Sequence, residues 1–122
     1  MTTQQVADKL VSMCREGKNL EAIEQLYADD IVSREMPGMP DSVVSGIKAV
    51  YEKSEKWLEN VEEFHEGKIS DPIIAGDHFT CTMDYDVTFK DRGRAQMKEV
   101  CVFQVKDGKI VNEQFFYDMP EM

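Results

Sequence analysis

The apolar residues in the first half of the chain recur every three or four positions, which is the spacing of amphipathic helices. One stripe begins behind the potential cap residues Thr2 and Thr3 and ends near Gly17, a second follows Asn19, and a third follows Gly46. Their apolar positions are Val6, Leu10, Met13 and Cys14, then Leu20, Ile23, Leu26 and Tyr27, then Ile47, Val50, Tyr51, Trp57 and Leu58. The pattern predicts three helices, with Asn19 as the cap of the second.

The second half of the chain changes to a period of two, which is the spacing of strands. Apolar and polar positions alternate along one long segment, with Phe79, Cys81, Met83, Tyr85, Val87 and Phe89 on one side and His78, Thr80, Thr82, Asp84, Asp86 and Thr88 on the other. Weaker strands are predicted at 31–35, 61–74, 95–106 and 109–118. We therefore expect an α+β fold in which a curved antiparallel sheet wraps around the three helices. No repeat or linker interrupts residues 1–122, which are predicted to form one domain.

The turn at 106–108 sets the register of the last two strands. If all three residues form the loop, with Gly108 in the left-handed conformation, Val105 lies opposite Lys109 and one face collects Glu99, Cys101, Phe103, Val111, Glu113, Phe115 and Tyr117. If only Asp107 and Gly108 turn, Val105 lies opposite Ile110, and Glu113, Phe115 and Tyr117 move to the other face. We favour the three-residue loop because it gathers the aromatic residues with Phe103.

Net charge and cysteine content argue against several classes of protein. The chain has 14 basic and 24 acidic residues, a net charge of −10, and no basic stripe, which argues against a nucleic-acid partner. Its three cysteines form no CxxC pair, which argues for reduced thiols and against a disulfide framework or a zinc site. No apolar run is long enough for a signal peptide or a membrane span. We expect a cytoplasmic protein that binds neither nucleic acid nor membrane.

Four segments carry a family resemblance in the right order. These are 22–31 with its Tyr-Ala-Asp-Asp sequence, Gly46-Ile47 with the helix that ends at Trp57, 106–111, and 115–118. They resemble SnoaL-like proteins and ketosteroid isomerases of the nuclear-transport-factor-two-like superfamily. The resemblance implies a cone-shaped sheet (a cystatin-like roll), a pocket for an apolar small molecule, and a homodimer formed through the sheet. Known members include cyclases, isomerases, hydrolases and dehydratases.

Glu35 is the candidate that the resemblance selects. By its count from Tyr27 it is similar in position to the proton-abstracting carboxylate of the isomerases. Apolar neighbours such as Met36 and Trp57 would raise the pKa of Glu35, whereas a salt bridge to Arg34 would lower it. The alternative to a proton-abstracting Glu35 is a solvated glutamate that forms a salt bridge with Arg34.

Two differences between this sequence and the ketosteroid isomerases argue against steroid isomerase chemistry. The isomerases build an oxyanion hole from a tyrosine of the first helix and a protonated aspartic acid on a strand. In this chain the first helical stripe has no tyrosine, and the strand position corresponds to Cys101, whose thiol is a weak donor.

The other candidates depend on strand geometry. Glu99 is predicted to point inward as a second acid, or else to be a structural carboxyl satisfied by a tyrosine or a backbone donor. His65 shares strand parity with Ile69, so it is predicted to point inward as a proton shuttle, with a structural hydrogen bond as the alternative. The predicted ligand-binding residues are Trp57, Phe103, Glu113, Phe115 and Tyr117.

These residues support two interpretations. One is a small-molecule-binding protein with isomerase-, cyclase- or hydrolase-type acid–base chemistry on an apolar, carbonyl-bearing substrate, without cofactor or metal. The other is a non-catalytic ligand-binding or dimerisation module. For the dimer, the sheet face predicted to pair carries Thr80, Thr82, Asp84, Asp86, Thr88, Val100, Val102, Ile110 and Phe116.

Overall fold

The computed structural model describes residues 1–39 and 42–118, which form three helices and seven strands. The helices are α1 (Thr3–Arg15), α2 (Asn19–Leu26) and α3 (Ile47–Asn60). The strands are β1 (Tyr27–Arg34), β2 (Val43–Ser45), β3 (Val61–Ile69), β4 (Ile73–Ala75), β5 (His78–Phe89), β6 (Gly93–Lys106) and β7 (Lys109–Phe116). The predicted α+β cone is confirmed. All helices in these ranges fall short of the length and apolar character that crossing a membrane requires.

The strands form one curved sheet in the order β2-β1-β7-β6-β5-β3, and β4 also pairs with β5. The sheet, predicted as antiparallel, is mixed, because β1 and β7 pair in parallel while the other pairs are antiparallel. A parallel pair needs a long connection, and here most of the chain lies between the two strands. The short strand β2 was not predicted; its three residues are too few for a visible alternation.

The long strand β5 behaves as the alternation predicts. It pairs with β6 from His78 opposite Gln104 to Phe89 opposite Gly93. Five of its six predicted inward residues are buried, and they are Phe79, Cys81, Met83, Val87 and Phe89. The Phe79 and Phe103 rings stack with centroids 4.7 Å apart. This concave side of the sheet, called the interior face below, holds the core.

The helices cover the interior face. Helix α1 is capped by Thr2, one of the two predicted cap residues, which forms a reciprocal capping box with Gln5. Its buried residues are Val6, Ala7, Leu10, Val11, Met13 and Cys14. The cap predicted for α2 is wrong: Asn19 is the first helical residue, and Lys18 occupies the cap position without a side-chain hydrogen bond. Helix α3 follows Gly46, whose φ of 93° suits glycine.

The hairpin between β6 and β7 combines parts of both predicted registers. Asp107 and Gly108 have φ angles of 51° and 76°, so they form a two-residue turn, and Val105 lies opposite Ile110 rather than Lys109. The predicted three-residue loop is therefore wrong. However, a bulge leaves Val111 without a partner, and beyond it Phe103 lies opposite Glu113.

The bulge has opposite effects on two predictions. Glu113 stays on the interior face, where it is 4% exposed, as the favoured register proposed. Ile110, which was predicted to lie on the outer face, is fully buried.

Candidate functional site

Six polar side chains form one hydrogen-bonded chain on the interior face. In order they are Tyr27, Glu113, Ser33, Lys53, Glu35 and Tyr117. They come from β1 and β7, from α3, and from the segments that follow β1 and β7, so the chain ties together parts of the protein that are distant in sequence. These six residues and neighbouring Glu99 are called the carboxylate group below.

The deep end of the carboxylate group is almost closed to solvent. Glu113 and Ser33 occupy paired positions on β7 and β1, and they are 4% and 0% exposed. The Tyr27 hydroxyl donates to Glu113 Oε1. Burial raises the pKa of Glu113, and hydrogen bonds from Ser33 and Tyr27 oppose that rise. Burial also raises the pKa of Tyr27 well above its usual value, so Tyr27 keeps the proton that it donates.

Lys53 joins the deep end to the outer end. Its ammonium group donates to Ser33 Oγ at 2.9 Å and to Glu35 Oε1 at 3.1 Å. The Tyr117 hydroxyl donates to the other oxygen of Glu35, Oε2, at 2.9 Å. Burial, followed by the hydrogen bond to Glu35, raises the pKa of Tyr117 to about 12.

Glu35 is therefore held from two sides by partners other than the one anticipated. The predicted alternative, a pair with Arg34, is wrong, because Arg34 donates to Asn112 Oδ1 at 3.2 Å on the other side of the strand. The Glu35 side chain is 24% exposed, so it lies at the boundary between core and solvent.

Glu99 is the acid of this group that titrates near neutrality. Burial, followed by the negative charges of Glu35 and Glu113, raises the pKa of Glu99 to about 7. The Lys53 charge and the Cys101 thiol, whose Sγ is 3.9 Å from Glu99 Oε1, oppose the rise. A carboxyl group with such a pKa can both accept and donate a proton under physiological conditions.

His65 does not belong to the carboxylate group. Its Nε2 atom is 2.7 Å from Thr88 Oγ1, and Thr88 points outward between the buried residues Val87 and Phe89. The prediction that His65 points inward is wrong because the ladder between β3 and β5 is irregular between Phe64 and Glu66. This bulge breaks the strand parity on which the prediction depended.

The predicted aromatic residues divide between three places. Phe115 lies beside the carboxylate group, with Lys53 Nζ 5.5 Å from its ring centroid. Phe103 is 1% exposed and packs in the core. Trp57 belongs to a separate cluster with Phe64, Tyr85 and Phe89, at centroid distances of 6.0, 5.9 and 5.8 Å. Tyr85 connects this cluster to Glu99, whose charge contributes to the raised pKa of Tyr85 after the larger effect of burial.

Sequence analysis missed Lys53, although the pattern contains a signal for it. Lys53 stands three residues after Val50 and four before Trp57, on the apolar stripe of α3. A charged residue on such a stripe requires a buried partner of opposite charge. Tyr27, at the end of the second stripe, carries a similar signal because a buried hydroxyl requires an acceptor.

A groove of about 350 Å³ lies elsewhere, on the outer side of α1. Its lining residues are Asp8, Val11, Ser12, Arg15, Glu16, Asp71 and Pro72. Arg15 crosses it to reach the Ile69 carbonyl at 2.8 Å and Asp71 at 2.9 Å. The groove shares no lining residue with the carboxylate group.

Comparison with known proteins places this fold in a family. The sequence profile of the SnoaL-like domain matches residues 1–117. The crystal structure of a candidate SnoaL-like polyketide cyclase from Mesorhizobium loti is 39% identical, has a TM-score of 0.90, and covers 96% of this chain and 100% of its own. The comparison with curated proteins gave no significant match.

More distant structures share the fold alone. A protein of unknown function with a cystatin-like fold from Xanthomonas campestris is 18% identical, with a TM-score of 0.80 over 98% of this chain and 92% of its own. TerC, crystallised with polyporic acid, is 16% identical, with a TM-score of 0.74 over 96% of this chain and 92% of its own. Because the profile spans nearly the whole chain and the Mesorhizobium loti structure matches it closely, this chain belongs to the SnoaL-like domain family.

Proposed function

We propose that this protein binds an apolar, carbonyl-bearing small molecule and catalyses proton transfer on it without a cofactor. The observation that carries the proposal is the pKa of Glu99, which is raised to about 7 beside the Lys53–Glu35 ion pair. Pairs of carboxyl groups in such contrasting environments are typical of acid–base sites.

Each member of the pair has a distinct role in this proposal. Glu99 removes a proton from the carbon next to the carbonyl group and returns it. Glu35, fixed by Lys53 and Tyr117, supplies the negative charge that keeps Glu99 basic. An ammonium group has three N–H donors, and Ser33 and Glu35 take two from Lys53. The third is the group we assign to the substrate oxygen, where negative charge develops as the proton leaves.

The surroundings of Glu99 suit an apolar substrate. Phe115 and Tyr85 provide aromatic surface next to the carboxyl groups. The candidate activity of the Mesorhizobium loti relative, polyketide cyclisation, and the polyporic acid bound by TerC both support a small organic substrate.

Hydrogen exchange next to a carbonyl group tests the proposal directly. A panel of apolar cyclic ketones is incubated with the protein in D₂O, and deuterium uptake is followed by mass spectrometry. We expect the wild-type protein to accelerate uptake, and Glu99→Gln to reduce the acceleration by about a hundredfold or more, because general acid–base catalysis contributes about 10²–10⁴-fold. Glu62→Gln, which changes an exposed glutamate of β3, is the matched control and should leave the rate unchanged.

Two results would count against this function. Equal rates for the wild type and Glu99→Gln would remove Glu99 from the chemistry. A wild-type rate equal to the buffer rate for every ketone would favour the second candidate, a non-catalytic binding or dimerisation module. One observation favours that candidate: Glu113, Tyr27 and Ser33 already satisfy one another, as structural polar groups do.

A further inference from the structure

The proposed function leaves the cysteines unused, and two of them face each other. Cys81 and Cys101 are direct partners in the ladder between β5 and β6. Both side chains lie on the interior face, where they are 3% and 0% exposed. The third cysteine, Cys14 of α1, is also a buried free thiol.

The geometry of the ladder suits a covalent bond between the facing thiols. Directly opposite residues of antiparallel strands have Cα atoms about 4.5 or 5.5 Å apart, depending on their place in the ladder. Disulfides span Cα separations of about 4.4–6.8 Å. The Cα separation expected for Cys81 and Cys101 therefore falls within the range that a disulfide spans.

The two thiols also differ in the direction in which their pKa values are shifted. A hydrogen bond between them lowers the pKa of Cys81, while the same bond and burial raise the pKa of Cys101. Burial raises the pKa of Cys14 to about 12. Because the thiolate is the form that reacts with oxidants, Cys81 is the attacking thiol of the three.

We propose that Cys81 and Cys101 form a reversible disulfide inside the cone, driven by a two-electron oxidant such as a peroxide. The Cys81 thiolate attacks one peroxide oxygen, the O–O bond breaks, and a sulfenic acid forms on Cys81 with release of hydroxide. The Cys101 sulfur then attacks the Cys81 sulfur, the S–O bond breaks, and the Cys101 proton leaves with the oxygen as water. Both sulfurs are oxidised, the peroxide is reduced, and an external thiol reverses the reaction.

This modification would alter the environment of Glu99, because Cys101 is its neighbour. The Cys101 Sγ atom is 3.9 Å from Glu99 Oε1, and the thiol is positioned as a donor. A disulfide has no S–H group, so oxidation removes that donor from the carboxyl group. The disulfide itself needs only the two thiols, so its formation can be tested independently of the proposed catalysis.

Peptide mapping of the protein tests the inference. The folded protein is treated with diamide, which oxidises thiols and spares methionine, then blocked with N-ethylmaleimide and digested with trypsin. Cys14, Cys81 and Cys101 fall in separate tryptic peptides, 10–15, 69–90 and 99–106. We expect peptides 69–90 and 99–106 to be joined in most molecules, and to separate after reduction.

Variants and a denatured sample complete the design. Cys14→Ser is the matched control and should keep the link, whereas Cys81→Ser and Cys101→Ser should lack it. The inference is overturned if peptide 10–15 is joined to 69–90 instead. It is also overturned if diamide leaves Cys81 and Cys101 as free thiols in the folded protein, so that maleimide blocks both, but oxidises them in urea. The wild-type map decides the matter even where a variant fails to fold.

Discussion

The carboxyl group of Glu99 shows how strongly one residue depends on its neighbours. Burial and two negative charges raise its pKa from 4.5 to about 7, so the folded protein binds this proton more tightly than the unfolded chain does. The contribution of Glu99 to stability is therefore complete below about pH 4.5 and is lost as the pH rises to about 7.

This dependence predicts the behaviour of Glu99→Gln, which mimics the protonated acid. The wild-type protein should lose about 3 kcal/mol of unfolding free energy relative to the variant between pH 4.5 and pH 7.5, since each pKa unit corresponds to about 1.4 kcal/mol. Urea unfolding of both proteins across this range measures the difference. Parallel stability curves would show that Glu99 titrates normally.

Sequence reasoning selected members of the carboxylate group better than it predicted their contacts. Glu35 was selected by its count from Tyr27, and Glu99 by its inward position on a strand. Lys53 was missed because it reaches Glu35 from a helix that is distant along the chain, and strand spacing carries no information about such a contact. The inward prediction for His65 failed because a bulge cannot be read from alternating polarity.

At the scale of elements, the turns control which side chains reach the interior. Glu113 of β7 lies on the interior face, as predicted, because two changes of register cancel. The two-residue turn shifts the pairing of β7 by one residue, and the bulge at Val111 shifts it back. Turn type and bulge are decided by backbone twist and by contacts with other strands, so the sequence left two registers open.

Gly108 allows a matched test of the turn. It has a φ of +76°, and a Cβ atom there would lie 3.0 Å from the Met1 backbone nitrogen. Gly93, the first residue of β6, has a φ of +77° with no atom within 4 Å of such a Cβ. We expect Gly93→Ala to cost about 1–2 kcal/mol for the left-handed backbone alone, and Gly108→Ala to cost more because Met1 must also move.

Chemical denaturation of the two alanine variants measures these costs. The difference between the two variants measures the contact with Met1, because the left-handed backbone destabilises both variants by the same amount. Equal losses of stability would show that Met1 does not pack against this turn.

At the scale of the whole molecule, the outer face of the sheet is the surface that we propose for a homodimer. Val100 and Phe116 are cross-strand partners there, and they are 43% and 47% exposed. Val102 lies two residues further along β6, where Thr80 of β5 is its partner. Ile110, predicted as part of this surface, is instead fully buried. Ile73 of β4, opposite Thr80, is 71% exposed. An exposed apolar surface of this kind is typical of isologous contacts.

The assembly prediction is tested by light scattering at micromolar concentration. The wild-type protein should have about twice the chain mass of 14.0 kDa, and Val100→Lys should shift it to the monomer. Phe64→Lys is the control, since Phe64 is 50% exposed but packs toward Trp57 on the interior face. A wild-type monomer, or a Val100→Lys variant that remains dimeric, would contradict this interface.

The parallel pairing of β1 with β7 also has a consequence for the order of events during synthesis. β1 leaves the ribosome long before β7, which is one of its two neighbours in the sheet. Until β7 is made, Tyr27 and Ser33 lack Glu113, and the open edge of β1 has only β2 beside it. Contacts that are so distant in sequence form slowly. The nascent chain can position Lys53 before β7 exists, but the carboxylate group is completed only after β7 and Tyr117 have been translated.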